Sequence, residues 1–325
     1  MNYELIAGLD YGSNSLRLLI AACNETGTIQ HICRDRIELR LAPDAFTSGM
    51  FSPATVEKLI EASNSFAVGM NECNVTRYRA VGTEAFRRIK NSDETIENVF
   101  KQTGIQIEVI DYREEAALIA EAVNQRDNAG RAADLIVDLG GGSLELISPS
   151  EDRGVDPVRL ESHPLGLSVQ LESILEKQTG GIETRREMST AADRVGRKLR
   201  SELLDGSIPF DVIALTGGQA EMIDYLALQW GLWEELHSRI NGINAEQLDN
   251  LCVRVISEPT ESLVSLGVSE QRALLLPGAA ALYLSICVRS GAHSVLLPCV
   301  GLIDGLLLNM KEKGRNWSRD NQTNH

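Results

Sequence analysis

Two nine-residue segments, 128 positions apart, carry one pattern. Asp10-Tyr11-Gly12-Ser13-Asn14-Ser15-Leu16-Arg17-Leu18 and Asp138-Leu139-Gly140-Gly141-Gly142-Ser143-Leu144-Glu145-Leu146 both read D-x-G-x-x-S-L-x-L. A repeat at this spacing constrains the architecture before any single element is considered, because a duplicated unit has to fold twice in the same way. Each copy follows an apolar run, Leu5-Ile6-Ala7-Gly8-Leu9 and Leu135-Ile136-Val137, and leads into another, Leu16 to Ala22 and Leu144 to Ile147. That order predicts strand, small polar turn, strand: a β-hairpin with a carboxylate at its base. A third extended segment is expected around Thr28 to Cys33 in one half and Val158 to Ser162 in the other.

Helix and strand alternate beyond the first hairpin. Periodicity predicts a helix over Ser52 to Ala67 and a strand over Arg77 to Val81. Asn91-Ser92-Asp93-Glu94 supplies capping residues for a helix that Gly104 stops, and a strand over Ile105 to Ile110 and a helix over Arg113 to Val123 follow. A hairpin meander followed by β-α-β-α units, occurring twice, predicts an α/β fold of two duplicated domains whose mixed sheets face an interdomain cleft. The expected division is 1–128 and 129–310, with a polar tail at 311–325. The boundary falls near Asn124 to Ala133, where the sequence is polar and bears glycine. With 325 residues the chain can supply both cores, since a single core stops growing near about 250–300 residues.

A net charge of −15 excludes a broad basic face, so no nucleic-acid partner is expected. An anionic ligand must be held locally. Arg77, Arg79, Arg87, Arg88 and Lys90 form one candidate patch, while Arg194, Arg197, Lys198 and Arg200 read as a solvated helix face. No uninterrupted apolar run approaches the roughly 18–20 residues of a membrane span, and Met1 to Gly8 has no basic region ahead of an apolar one. A cytoplasmic protein without membrane association is expected. The six cysteines lack C-x-x-C spacing and read as small core residues, and His163, His237 and His293 lack the spacing of a metal site.

Successive glycines let backbone N–H groups converge on an anion, because no Cβ blocks close approach. Gly12, Ser13, Asn14 and Ser15 in one half, and Gly140, Gly141, Gly142 and Ser143 in the other, are therefore candidate phosphate clamps. Asp10, Asp138 and Glu145 are candidate ligands for a hard divalent cation, Mg²⁺ or Mn²⁺.

At this point the residues match a known pattern. Gly8-Leu9-Asp10-Tyr11-Gly12-Ser13-Asn14-Ser15, Ala80-Val81-Gly82-Thr83-Glu84-Ala85-Phe86-Arg87 with Asn91, Glu114-Glu115-Ala116-Ala117-Leu118-Ile119 and Val137-Asp138-Leu139-Gly140-Gly141-Gly142-Ser143-Leu144-Glu145 occur in order. Taken together they resemble the exopolyphosphatase/guanosine pentaphosphate phosphatase family, a branch of the actin-like ATPase superfamily. Weaker matches follow at Pro164-Leu165-Gly166, Leu215-Thr216-Gly217-Gly218, Leu276-Pro277-Gly278 and Gly301-Leu302-Ile303-Asp304-Gly305. The resemblance implies two actin/Hsp70-like (ribonuclease H-like) domains and a metal-dependent phosphohydrolase acting on polyphosphate or guanosine pentaphosphate. It implies that Glu115 is the general base, that Arg87 and the glycine turns hold phosphoryl oxygens, and that the chain forms a homodimer.

The chain departs from the family at four places. Leu144 replaces a threonine, Gln219 follows the Gly-Gly turn, Arg40-Leu41-Ala42 stands for Arg-Leu-Gly, and Ile303 replaces an arginine. The polar tail resembles the short form, without an HD-type domain. Two alternatives stay open: a nucleotide-dependent kinase or ATPase using Gly217-Gly218, and a noncatalytic sensor of polyphosphate or a guanosine alarmone.

Overall fold

A computed structural model of the chain describes residues 3–24, 28–126, 132–148, 159–167, 182–206, 210–233 and 242–312. The backbone divides into two compact units, one of Met1–Ala122 with Gly301–His325 and one of Val123–Val300.

In the first unit, β1 (Tyr3–Tyr11), β2 (Ser15–Asn24) and β3 (Ile29–Glu38) form an antiparallel meander. Strand β4 (Arg77–Gly82) joins parallel to β1 and β5 (Ile107–Val109) parallel to β4, giving the order β3-β2-β1-β4-β5. Helix α1 (Pro53–Glu72) begins where the Ser52 side chain accepts from Thr55 N and proline takes the first turn, both favourable because the first N–H groups have no intrahelical acceptor. It runs past the expected Ala67. Helix α2 (Glu84–Arg88) is a single turn, and α3 (Ser92–Thr103) ends at Gly104, whose φ of 73° is left-handed and whose N–H returns to Phe100 O. Asn91 does not cap α3 through its side chain. Its amide instead donates to Phe51 O and accepts from Phe51 N, both at 3.0 Å, tying the start of α3 to the segment before α1. Helix α4 (Tyr112–Arg126) completes this stretch.

The second unit repeats the plan. Strands β6 (Leu135–Leu139), β7 (Leu144–Ser148) and β8 (Arg159–His163) form the meander. Helix α5 (Ile182–Lys198) precedes β9 (Val212–Thr216), which lies parallel to β6. After α6 (Gly218–Gln229) come the short β10 (Ile243–Asn244), α7 (Ala245–Ser257), α8 (Thr260–Ser265), α9 (Glu270–Ser290) and β11 (Ser294–Leu296), with β11 parallel to β9. The sheet reads β10-β11-β9-β6-β7-β8. Without β10 it is the first sheet read from its other end, so the sequence repeat is a structural duplication. The predicted segment before Arg159 and half of the predicted boundary, 127–131, lie outside the described residues.

Helix α9 is long and apolar enough to cross a membrane by composition, yet most of it is buried in the core of the second unit. The fully buried Arg185 on α5 helps hold this core. Its guanidinium donates to Val255 O at 2.7 Å, Ala273 O at 3.0 Å and Thr260 Oγ1 at 3.2 Å, satisfying a carbonyl in the last turn of α7 and one in α9 that Pro277, four residues on, leaves without an intrahelical donor.

The last described element, α10 (Leu302–Glu312), follows the second unit in sequence but packs on β1 and β2 of the first. Ile303, Leu307 and Met310 form a helical stripe over Ile6, Leu19 and Ala21. The grouping 129–310 expected from chain order is therefore not the grouping by contact. Gly305 permits the placement, since a Cβ there would lie 2.1 Å from Leu118 O on α4. Ile303 is 3% exposed, so this position serves packing and makes no phosphate contact.

Candidate functional site

The two hairpin turns are built alike. Gly12 N donates to Ser15 O at 3.2 Å and Gly140 N to Ser143 O at 3.0 Å. These bonds close the turns, so the N–H groups of Gly12 and Gly140 are committed internally and are not clamp donors as expected from sequence. In each unit the chain returns after the third strand to brace the turn. Leu41 N and Ala42 N both donate to Ser13 O at 2.9 Å, while Gly166 N donates to Gly142 O at 3.3 Å and Leu167 N to Gly140 O at 3.2 Å. A Cβ on Gly166 would sit 2.3 Å from Gly142 C, which explains the glycine of Pro164-Leu165-Gly166. The bracing role of both segments was not visible in the sequence, because it depends on a backbone approach across the meander.

Strand register sets the carboxylates. Asp138 on β6 stands directly opposite Glu145 on β7, which stands opposite Ser162 on β8, and Asp138 is also aligned with Thr216 on β9. Direct partners share a face. Thr216 Oγ1 donates to Asp138 Oδ1 at 2.7 Å and Ser162 Oγ to Glu145 Oε1 at 3.0 Å. Two carboxylates flanked by hydroxyls, with Glu145 1% exposed, form an all-oxygen donor set, the chemistry a hard cation takes. In the first unit Asp10 stands opposite Arg17, not a carboxylate. No group of three or more metal-ligating side chains occurs among the described residues. The structure thus brings Asp138 and Glu145 together, and Asp10 belongs to the other unit.

Helix α6 begins at Gly217, whose φ is 92° and whose Cβ would lie 2.6 Å from Leu139 O. The close passage of β6 accounts for this glycine.

Strands β1, β4 and β5 run parallel, and their carboxyl ends are linked: Thr83 N donates to Tyr11 O at 3.4 Å and Ile110 N to Gly82 O at 3.2 Å. Ligand-binding groups in α/β sheets gather at such ends. Here α2 delivers Arg87 and α4 delivers Glu115. Asp111 Oδ1 accepts from Arg113 N and Glu114 N at 2.8 Å each, which starts α4 and places Glu115 in its first turn. Arg87 Nη1 donates to Glu115 Oε2 at 2.7 Å and to Ile110 O at 3.0 Å. Both side chains are mostly buried, at 17% and 10% exposure. Burial alone would lower the Arg87 pKa, but the Glu115 and Glu84 carboxylates outweigh it and hold the guanidinium above its ordinary value. Glu114 turns elsewhere, accepting from Arg79 Nη2 at 2.6 Å.

The arginines of the predicted patch are individually neutralised. Arg77 pairs with Glu4, Arg79 with Glu108 and Glu114, and Arg87 and Arg88 with Glu84. The cluster is a set of ion pairs, some sharing a carboxylate or an arginine, and not a basic surface. Glu84 lay within a recognised motif, yet its role was missed. Its signal was the spacing to Arg87 and Arg88 on one helical turn.

The chain matches the Ppx/GppA phosphatase family model over residues 19–313. Among solved structures it is similar to a Ppx/GppA family member from Aquifex aeolicus, at 22% identity over 97% of this chain and 100% of that one, with a TM-score of 0.74. It is also similar to an exopolyphosphatase from Cytophaga hutchinsonii, at 19% identity over 95% and 98% of the two chains and a TM-score of 0.78. An exopolyphosphatase-like protein aligns at 20% identity over 95% and 99%, with a TM-score of 0.75. Two mixed sheets of five and six strands in a duplicated actin-like arrangement, together with the family match across most of the length, establish that this chain belongs to the Ppx/GppA phosphatase family.

Proposed function

We propose that this protein is a metal-dependent phosphohydrolase that releases terminal orthophosphate from inorganic polyphosphate or guanosine pentaphosphate. The observation that carries the reading is the Arg87–Glu115 pair at the carboxyl ends of the parallel strands of the first unit. Phosphoryl transfer is mainly positioning and charge neutralisation, and hydrolysis further needs a carboxylate that can take a proton from water. Arg87 supplies charge for the phosphoryl oxygens. Glu115 accepts the proton of the attacking water, whose oxygen forms the new bond to phosphorus as the bridging oxygen departs with the shortened chain. The Ser13-Asn14 turn, its backbone held by Leu41 and Ala42, presents polar groups on the same edge of the first sheet.

Asp138 and Glu145 are the residues that would hold the cation, which would offset the negative charge of the phosphate chain. The test offers purified protein with Mg²⁺ short polyphosphate, long polyphosphate and guanosine pentaphosphate in parallel. Release of orthophosphate from at least one supports the reading, and its absence from all three overturns it.

A further inference from the structure

Four of the five guanidinium hydrogens of Arg87 are committed within the first unit. Nε and Nη2 donate to Glu84 Oε2 at 3.1 and 3.0 Å, and Nη1 donates to Glu115 Oε2 at 2.7 Å and Ile110 O at 3.0 Å. A guanidinium so occupied cannot grip a phosphoryl group with two bonds until one carboxylate yields.

The two carboxylates are not equivalent. Glu84 takes the Nε–Nη2 edge from the same helical turn, and its other oxygen accepts from Arg88 Nε at 2.6 Å. Arg88 in turn lies over the Phe46 ring, 5.5 Å from its centroid. Glu84 is thus held at both oxygens by local contacts and is 14% exposed. Glu115 reaches Arg87 from a different helix, through one oxygen and one bond. The Glu115 contact is a single bond, so one incoming phosphoryl oxygen can take its place, whereas replacing Glu84 would break two bonds to the guanidinium at once. A second carboxylate beside an anion-binding arginine works against charge attraction, so its contribution is orientational.

We propose that Glu84 is a positioning residue for Arg87. It fixes the guanidinium while a phosphoryl oxygen replaces Glu115 on Nη1, so that gripping the substrate and freeing the Glu115 carboxylate for the water proton are one event. This inference rests on the phosphohydrolase reading above.

The test is a double-mutant cycle of E84A and R87A, with E84Q as the conservative variant, read in kcat and KM for tripolyphosphate hydrolysis at saturating Mg²⁺ and alongside melting curves. E84A is expected to lower kcat by about 10–100-fold, the order of one charge-assisted contact to a positioned group, with a smaller change in KM. E84Q should recover part of the loss, because its amide oxygen still accepts from Nε. In the R87A background E84A should cost nothing more, since a residue that acts only through Arg87 has nothing left to position. Equal losses in both backgrounds, or an E84A protein as active as the parent, overturn the proposal. A readout independent of turnover is the Arg87 Nε–H nitrogen resonance, expected sharp in the parent and broadened by exchange in E84A; an unchanged resonance also overturns it. If the parent releases no phosphate at all, the functional reading falls, and the resonance alone decides the role of Glu84.

Discussion

Asp138 and Glu145 face each other as direct register partners across β6 and β7, and Asp10 and Arg17 hold the same relationship across β1 and β2. The duplicated hairpins are therefore equal in backbone and opposite in electrostatics. Two carboxylates at adjoining positions repel, and a divalent cation relieves that repulsion, whereas the Asp10–Arg17 arrangement balances its own charge. D138N and E145Q are each expected to raise the Mg²⁺ concentration for half-maximal activity by about 10–100-fold. They should also abolish any rise in melting temperature that Mg²⁺ gives the parent protein. Unchanged metal dependence in both variants would remove these residues from the cation's neighbourhood.

Gly305 is where α10 and α4 touch backbone to backbone. G305A places a methyl 2.1 Å from Leu118 O, whereas a Cβ on Gly301, four residues earlier, meets nothing within 4 Å. G305A is expected to destabilise the protein by about 2–4 kcal/mol, because an overpacked contact between main chains cannot be relieved by a rotamer change. G301A should stay within about 1 kcal/mol of the parent. Urea unfolding of the two variants checks the contrast, and equal stabilities would refute the packing assigned to α10.

These cases show which parts of the fold were legible in the sequence. The hairpins could be read because their signal is local: a glycine turn between alternating apolar strands, repeated at a fixed interval. The placement of α10 could not, since its stripe of Ile303, Leu307 and Met310 is completed by Ile6, Leu19 and Ala21 from the far end of the chain. The arginines at 77, 79, 87 and 88 read as a patch because they are close in sequence, but their neutralising partners are Glu4, Glu84, Glu108, Glu114 and Glu115, and only Glu84 is a near neighbour. Glu115 was recognised from a family motif, and only geometry revealed that it is held by Arg87 while its neighbour Glu114 is held by Arg79.

Burial in the second core pushes the Cys287 thiol from its ordinary 9.0 up to about 12, and raises Cys252, which is also fully buried. A raised folded-state value means that the unfolded chain loses its protons first. Stability from these thiols is complete below about pH 9 and is lost as the pH climbs toward about 12. Urea midpoints should therefore fall between pH 8.5 and 10.5, roughly the span in which free thiols ionise, and a C252A/C287A variant should show a shallower fall. In the native protein at pH 8, a thiol reagent should modify the exposed Cys33 and spare both buried residues. Rapid native modification of Cys252 or Cys287 would contradict their placement.

The most direct test of the account compares Glu115→Gln with Glu114→Gln in single-turnover and steady-state phosphate release. Glu115→Gln keeps the shape and a hydrogen bond to Arg87 but removes the proton acceptor, so kcat should fall by about 10²–10⁴-fold while substrate still binds. Glu114→Gln alters a carboxylate that is 38% exposed and bound to Arg79, and should leave kcat within about threefold and stability within about 1 kcal/mol. A Glu115→Gln enzyme that turns over like the parent, or a Glu114→Gln enzyme crippled in its place, would contradict the assignment of Glu115 as the base.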